Sequence, residues 1–140
     1  MKRSANALWK GSIKEGSGVV STQSGILDET AYSFKSRFEN GSGTNPEELI
    51  GAAHAGCYAM AFSLMLGEAG YEPTSIDAKA EVSLVEADGG FEIDAVSLTV
   101  AAVIDGIDNE EFQQLANQAK EGCPVSKVLN ADISLQASLN

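Results

Sequence analysis

Positive charge, cysteine, histidine and unbroken apolar stretches are all scarce in this sequence, and each scarcity closes off a class of function. Nine Lys and Arg stand against 20 Asp and Glu, a formal charge of −11. No basic face is available to neutralise phosphates, so nucleic acid and anionic membrane are poor partners for such a chain. No stretch of about 18 consecutive apolar residues occurs, the length a bilayer span requires. The opening MKRSANALWKG also lacks the apolar segment that follows the basic residues of a secretion signal. The expectation is a soluble, cytoplasmic protein. Two cysteines are too few for a disulfide scaffold, and in a reducing compartment such a pair more often serves catalysis, redox exchange or metal binding. Repeats, low-complexity tracts and linkers are missing too, since the glycine clusters EGSG, ENGSGTN and DGG read as turns. The 140 residues are expected to form a single domain, 1–140, able to bury roughly two-thirds of its unfolded surface.

What is present is a legible run of elements. The first forty residues carry strand signals in ALWKGSIK, VVST and YSFKSRF; the last alternates Tyr32, Phe34, Ser36 and Phe38 against Ser33, Lys35 and Arg37. Asn45-Pro46-Glu47-Glu48 is a helix start: Asn as cap, Pro at the first position where no N–H is needed, and Glu at the third to reach back. The helix should run to about Glu68 and stop at Gly70. Its interior, LIGAAHAGCYAMAFSLML, has almost no polar face, so burial is expected on nearly all sides, and a partner subunit is the natural source of the extra cover. SIDAKAEVSLVE then turns Ile76, Ala78, Ala80, Val82 and Leu84 inward, and DGG folds it against FEIDAVSLTVAAVID. A change of phase between Ala95 and Val96 predicts a bulge. Asp108 with Glu111 caps a second helix that runs to about Glu121 and is closed by Gly122, Cys123-Pro124 opens a short third one over PVSKVL, and a last strand aligns Ile133, Leu135, Ala137 and Leu139. The fold class is α+β, with strands segregated around two principal helices.

Few residues are equipped for chemistry. Cys57 sits inside the apolar helix, where a small packed thiol is the ordinary explanation and a reactive one the alternative. Cys123 stands at the cap of the short helix, where exposed N–H groups stabilise a thiolate and where Ser, Thr, Asp or Asn would cap better. Arg37 is one of two arginines: either a solvated surface charge, or the guanidinium that holds a cysteine ionised. Glu47 and Glu48 both suit a first helical turn for dipole reasons alone. His54, three residues before Cys57 and on the same helix face, permits a Cys-His nucleophile pair, but no Asn or Asp stands in a context to orient it. A zinc site from His54, Cys57 and Cys123 lacks a fourth ligand and any CxxC spacing.

Three segments, VVSTQSGIL, RFENGSGTNPEELIGAAHAGCYAMAFSLMLGEAGYEPTSI and GCPVSKVL, in this order and at these separations, resemble the OsmC/Ohr family, most closely its osmotically inducible protein C branch. The resemblance spans essentially the whole chain. It implies an OsmC-like intertwined α+β homodimer, with two principal helices packed on β-sheets. It also implies a thiol-dependent peroxidase for organic hydroperoxides, with Cys57 as peroxidatic and Cys123 as resolving cysteine, Arg37 as the essential arginine, and Glu47 rather than Glu48 as its partner. One departure is Gly56, where Ala is more usual before the cysteine.

The implied chemistry is self-consistent. Thiolate attack on the O–O bond gives Cys57 sulfenic acid and an alcohol. Arg37 keeps the thiolate ionised and Glu47 holds the guanidinium fork. Cys123 then closes a disulfide, reopened by an external dithiol, toward which the resemblance adds a lean to the lipoyl type. No metal, flavin, haem or other cofactor is required. Phe38, Tyr58, Met60 and Phe62 are candidates for an apolar substrate pocket, each also a candidate for plain core. Glu47 and Cys57 lie ten positions apart, about 15 Å along an unbroken helix, so a shared active site needs either a break in the helix or a second chain to supply Arg37 and Glu47; with no proline in ELIGAAHAGCYA, the second chain is the expectation.

Overall fold

The chain begins as an antiparallel meander. In the computed structural model, which describes residues 1–140, β1 (Ala5–Lys10) pairs with β2 (Ser17–Thr22), and β2 with β3 (Thr30–Tyr32). The register sets Gly18 between Trp9 and Tyr32. Because Gly18 has no Cβ, the two rings close over it with centroids 5.4 Å apart; a methyl group there would run into both. These strands belong to the first of two units, Met1–Leu49 and Ile50–Asn140.

After β3 the structure departs from the alternation in YSFKSRF. Only Thr30–Tyr32 is strand; Phe34–Phe38 is a short helix, α1. The cause is a capping box. Ser33, extended at φ −158, accepts from the Ser36 N–H at 3.1 Å while the Ser36 hydroxyl oxygen accepts from the Ser33 N–H at 2.9 Å. Phe34 and Phe38, four residues apart, then stack at 4.8 Å, a helical neighbour pair rather than a strand pair.

The long helix α2 spans Pro46–Glu68 as the sequence predicts. Asn45 Oδ1 accepts the Glu48 N–H at 2.8 Å, and Gly70, at φ +91, ends the helical path. Within Ile50–Asn140, β4 (Pro73–Ala87) and β5 (Gly90–Ile104) form a long hairpin, and β6 (Asp132–Leu139) adds to β5 in parallel, giving the order β4-β5-β6. The bulge lies close to the predicted phase change: Ser83 pairs with Ala95 but Leu84 with Ile93, leaving Asp94 as the extra residue. The parallel return of β6 uses a crossover made of α3 (Asn109–Gly122), capped by Asp108 on the Glu111 N–H at 2.9 Å, and α4 (Pro124–Val128).

The core of this unit joins Tyr58, Phe62 and Leu66 of α2 to Leu98, Val100 and Ala102 of β5 and Phe112, Ala116 and Ala119 of α3. Phe62 meets Phe112 edge-on at 5.6 Å. Phe62→Ala is expected to cost about 3–5 kcal/mol, read as a lowered urea midpoint at unchanged slope; a loss below about 1 kcal/mol would show the site collapsing onto the gap. Gly51 lets α2 approach the sheet, since a Cβ there would sit 3.2 Å from the Ala80 carbonyl oxygen.

Burial on all sides of α2 is not what the chain provides. Gly51, His54, Tyr58, Phe62 and Leu66 form one buried stripe, while Met60 and Leu64 on another face are 77% and 63% exposed. The sheet and α3 cover one side of a cylinder and leave the rest bare. By length and composition α2 is apolar enough to cross a membrane, a reading that the absence of an unbroken apolar run did not anticipate. Its buried stripe nevertheless carries His54, hydrogen-bonded to Ser126 at 2.8 Å, as in a helix packed on protein.

Candidate active site

Arg37 and Glu47 form an ion pair inside the Met1–Leu49 unit. The Ser33–Ser36 box fixes α1 and so aims Arg37; the Asn45-Pro46 start places Glu47 at the second residue of α2. Arg37 Nη2 donates to Glu47 Oε1 at 2.7 Å, and Nε reaches Oε1 and Oε2 at 3.2 and 3.3 Å. The partner is Glu47, as the resemblance implied, and the fork orients the guanidinium. Its carbon also lies 5.3 Å from the centre of the Phe38 ring, a cation–π contact that stiffens the same geometry.

Beside this pair lies a cavity of about 240 Å³ lined by Trp9, Ile13, Tyr32, Phe34, Arg37 and Phe38, among others. It is an aromatic box with one guanidinium in its wall. Of the four pocket candidates in the sequence, only Phe38 belongs to it. Tyr58 and Phe62 are fully buried core, and Met60 stands exposed on α2. Trp9, Tyr32 and Phe34 were missed because their convergence depends on a strand register and a five-residue helix. The useful signal was Gly18 between two aromatic strands.

The two thiols come together in the Ile50–Asn140 unit. Both are free; Cys57 is half-buried on α2 and Cys123 fully buried at the junction of α3 and α4. Cys57 packs against the core cluster that contains Cys123, and each thiol shifts the other. Burial pushes the Cys57 thiol up, the Val125 N–H pulls it back, and Cys123 pushes it up again, with a net rise. For Cys123 burial also pushes up. The Ser126 N–H, the Cys57 thiol, the Ser126 hydroxyl and the Val125 N–H together outweigh it, and the net shift is downward. Cys123 makes no side-chain capping bond of ordinary length, so the two N–H groups act on its large sulfur electrostatically, from longer range. Of the two thiols, Cys123 is therefore the easier to ionise. Ionising Cys57 takes a positive charge that Val125 and Cys123 do not supply.

His54 is turned away from a nucleophile's partner role. It is fully buried, its Nε2 lies 2.8 Å from Ser126 Oγ, and its Nδ1 has no partner. Burial holds its pKa below the usual value, so the ring is neutral.

The fold and these groups define a class: an α+β protein with a helix-borne thiol packed against the core that holds a second, buried thiol. The chain belongs to the OsmC family, whose model, OsmC-like protein, matches residues 39–138. It is 53% identical to peroxiredoxin OsmC of Escherichia coli strain K12 over 137 residues, 98% of this chain and 96% of that one. It is 32% identical to organic hydroperoxide resistance protein OhrB of Bacillus subtilis over 124 residues, 87% and 88% of the two chains. The crystal structure of that OhrB superposes with a TM-score of 0.72, covering 96% of this chain and 98% of its own. The α+β architecture is that of the OsmC/Ohr fold.

Proposed function

We propose that this protein is a thiol-dependent peroxidase that reduces organic hydroperoxides to alcohols, acting in the cytoplasm as part of an oxidative stress response. The observation that carries the reading is the placement of two free thiols in one core cluster, one half-buried and one fully buried, each acting on the other's ionisation. A peroxide can reach Cys57 and not Cys123, so Cys57 takes the oxygen and Cys123 resolves it. Both the peroxiredoxin and the organic hydroperoxide resistance protein among its relatives support this chemistry.

In the first step the Cys57 thiolate attacks one peroxide oxygen, the O–O bond breaks, and the alkoxide leaves and is protonated to the alcohol. Arg37, held by Glu47, stabilises the thiolate and the charge spreading over the oxygens. The two functional halves meet across a homodimer, Cys57 and Cys123 of one subunit facing Arg37 and Glu47 of the other. The bare face of α2 suits such a partner, and an arriving guanidinium is the charge that favours the Cys57 thiolate. The aromatic cavity beside Arg37 takes the alkyl or aryl group. A dithiol, of the lipoyl type, reopens the disulfide.

The test is stoichiometric. One equivalent of cumene hydroperoxide added to the reduced protein is expected to remove both thiols within seconds, and the same amount of hydrogen peroxide to do so at least about tenfold more slowly, because only the organic substrate fills the cavity. Two thiols still free after the organic peroxide would reject the peroxidase reading.

A further inference from the structure

Among the buried polar groups that the mechanism above leaves unused, one lies next to the thiols in the same core. His54 is fully enclosed in the middle of α2, its Nε2 2.8 Å from Ser126 Oγ and its Nδ1 facing no donor or acceptor. A bare polar atom in a core is costly, and an apolar residue would fill the position at no such cost. Ser126 in turn is the third residue of α4, whose cap is Cys123. Its hydroxyl acts on the Cys123 sulfur, and Cys57 packs against the core cluster that holds Cys123. Four side chains thus form a line: His54, Ser126, Cys123, Cys57.

Counting protons gives the line a direction. The neutral imidazole has one proton for two nitrogens. With that proton on Nδ1, a buried N–H faces nothing, and Ser126 must spend its only proton on Nε2, leaving none for Cys123. With it on Nε2, His54 donates to Ser126, Ser126 donates to Cys123, and only a lone pair stays bare. The second arrangement leaves the Ser126 proton free to turn toward the Cys123 sulfur, and the first does not. Resting on the peroxidase reading above, we propose that His54 is a positioning residue for the resolving step: its Nε2–H fixes the Ser126 hydroxyl so that it donates to the Cys123 sulfur and holds it as the attacking thiolate.

In that step the Cys123 thiolate uses an electron pair to bond the Cys57 sulfur of the sulfenic acid. The S–O bond breaks, and hydroxide leaves with its electron pair. It takes up the proton that Cys123 had lost, giving water. Cys57 sulfur is reduced, Cys123 sulfur is oxidised by the same amount, and no other reactant is needed. Without the Ser126 donor the thiolate fraction falls, and the sulfenic acid waits longer for closure.

The experiment separates the two steps on the full-length, reduced protein. After one equivalent of cumene hydroperoxide, sulfenic acid is trapped at intervals with a 1,3-dione and the disulfide is counted by alkylation and mass spectrometry. Ser126→Ala is expected to slow disulfide closure about tenfold, as befits one lost hydrogen bond to a charged acceptor, while sulfenic acid forms within about twofold of the parent rate. His54→Leu should slow closure to the same degree, and His54→Gln, whose side-chain amide still donates, should restore it to within about threefold. Sulfinic acid on Cys57 should accumulate in the two slow variants. Closure at the parent rate in Ser126→Ala, or equal slowing of both steps, overturns the proposal, and Ser126→Ala alone decides it if His54→Leu does not fold. Failure of the parent to form any sulfenic acid would instead strike at the peroxidase reading.

Discussion

Replacing Cys57 by Ser is expected to abolish oxidation of the protein by an organic hydroperoxide, a loss of roughly 10³-fold or more, because a hydroxyl at neutral pH is a far weaker nucleophile than a thiolate. Cys123→Ser is expected to behave differently. Cys57 should still be oxidised once, but the sulfenic acid should persist or advance to the sulfinic acid, and turnover with a dithiol should fall. The asymmetry follows from access: Cys57 is half-buried, and Cys123 is completely enclosed beneath it. The electrostatics within the chain lean the other way, since burial raises the Cys57 thiol and the Ser126 and Cys57 contacts leave Cys123 the lower of the two. On the proposed mechanism, access selects the sulfur that meets the peroxide, and the Arg37 cation favours its thiolate. Rapid-mixing thiol counts on the two variants check this division; equal loss of the first oxidation in both would contradict it.

That cation leads to the second large effect. Arg37→Ala is expected to reduce the rate of Cys57 oxidation by about 10²–10³-fold, the usual scale for losing a group that stabilises charge in the transition state. Co-refolding Arg37→Ala with Cys57→Ser should then return activity that neither variant has alone. In a shared-site heterodimer one site pairs the intact Cys57 of one subunit with the intact Arg37 of the other, giving about half the parent activity per heterodimer. If every site were built from one chain, each would keep one defect. No recovery from a mixture shown by mass spectrometry to contain heterodimers would sink the shared site and leave the peroxidase chemistry standing.

Helix starts were the most legible part of this fold. Asn45-Pro46 and Asp108 each announce a cap by residue type alone, and both helices run almost as written. The inward rows of β4 and β6 were equally plain, because one-sided burial stamps a period of two on the sequence. YSFKSRF was misread since four alternating residues fit a strand as well as a helix, and the deciding signal, Ser33 with Ser36, is a weaker capping pair than Ser with Glu. The parallel pairing of β6 with β5 carries no local mark at all. Of the four residues proposed for the site, Arg37, Glu47, Cys57 and Cys123, residue type and resemblance supplied the names, and the Arg37–Glu47 fork is present. Ser126 had no signal of its own: a serine inside PVSKVL gains meaning only when α4 is laid against His54.

The parallel return of β6 also bears on the order in which the parts come into being. Arg37 and Glu47 are separated by 10 positions and flank a single turn, so they find each other almost as soon as that stretch leaves a ribosome. Cys57 and Cys123 are 66 positions apart, and by loop-closure entropy bringing them together costs about 1.7 kcal/mol more. The strand that locks the crossover carrying Cys123 is the last element of the chain. During synthesis Cys57 therefore waits as an isolated thiol at least until the 66 positions that separate it from Cys123 have been added, and an oxidant met in that interval finds a sulfur with no neighbour to close on.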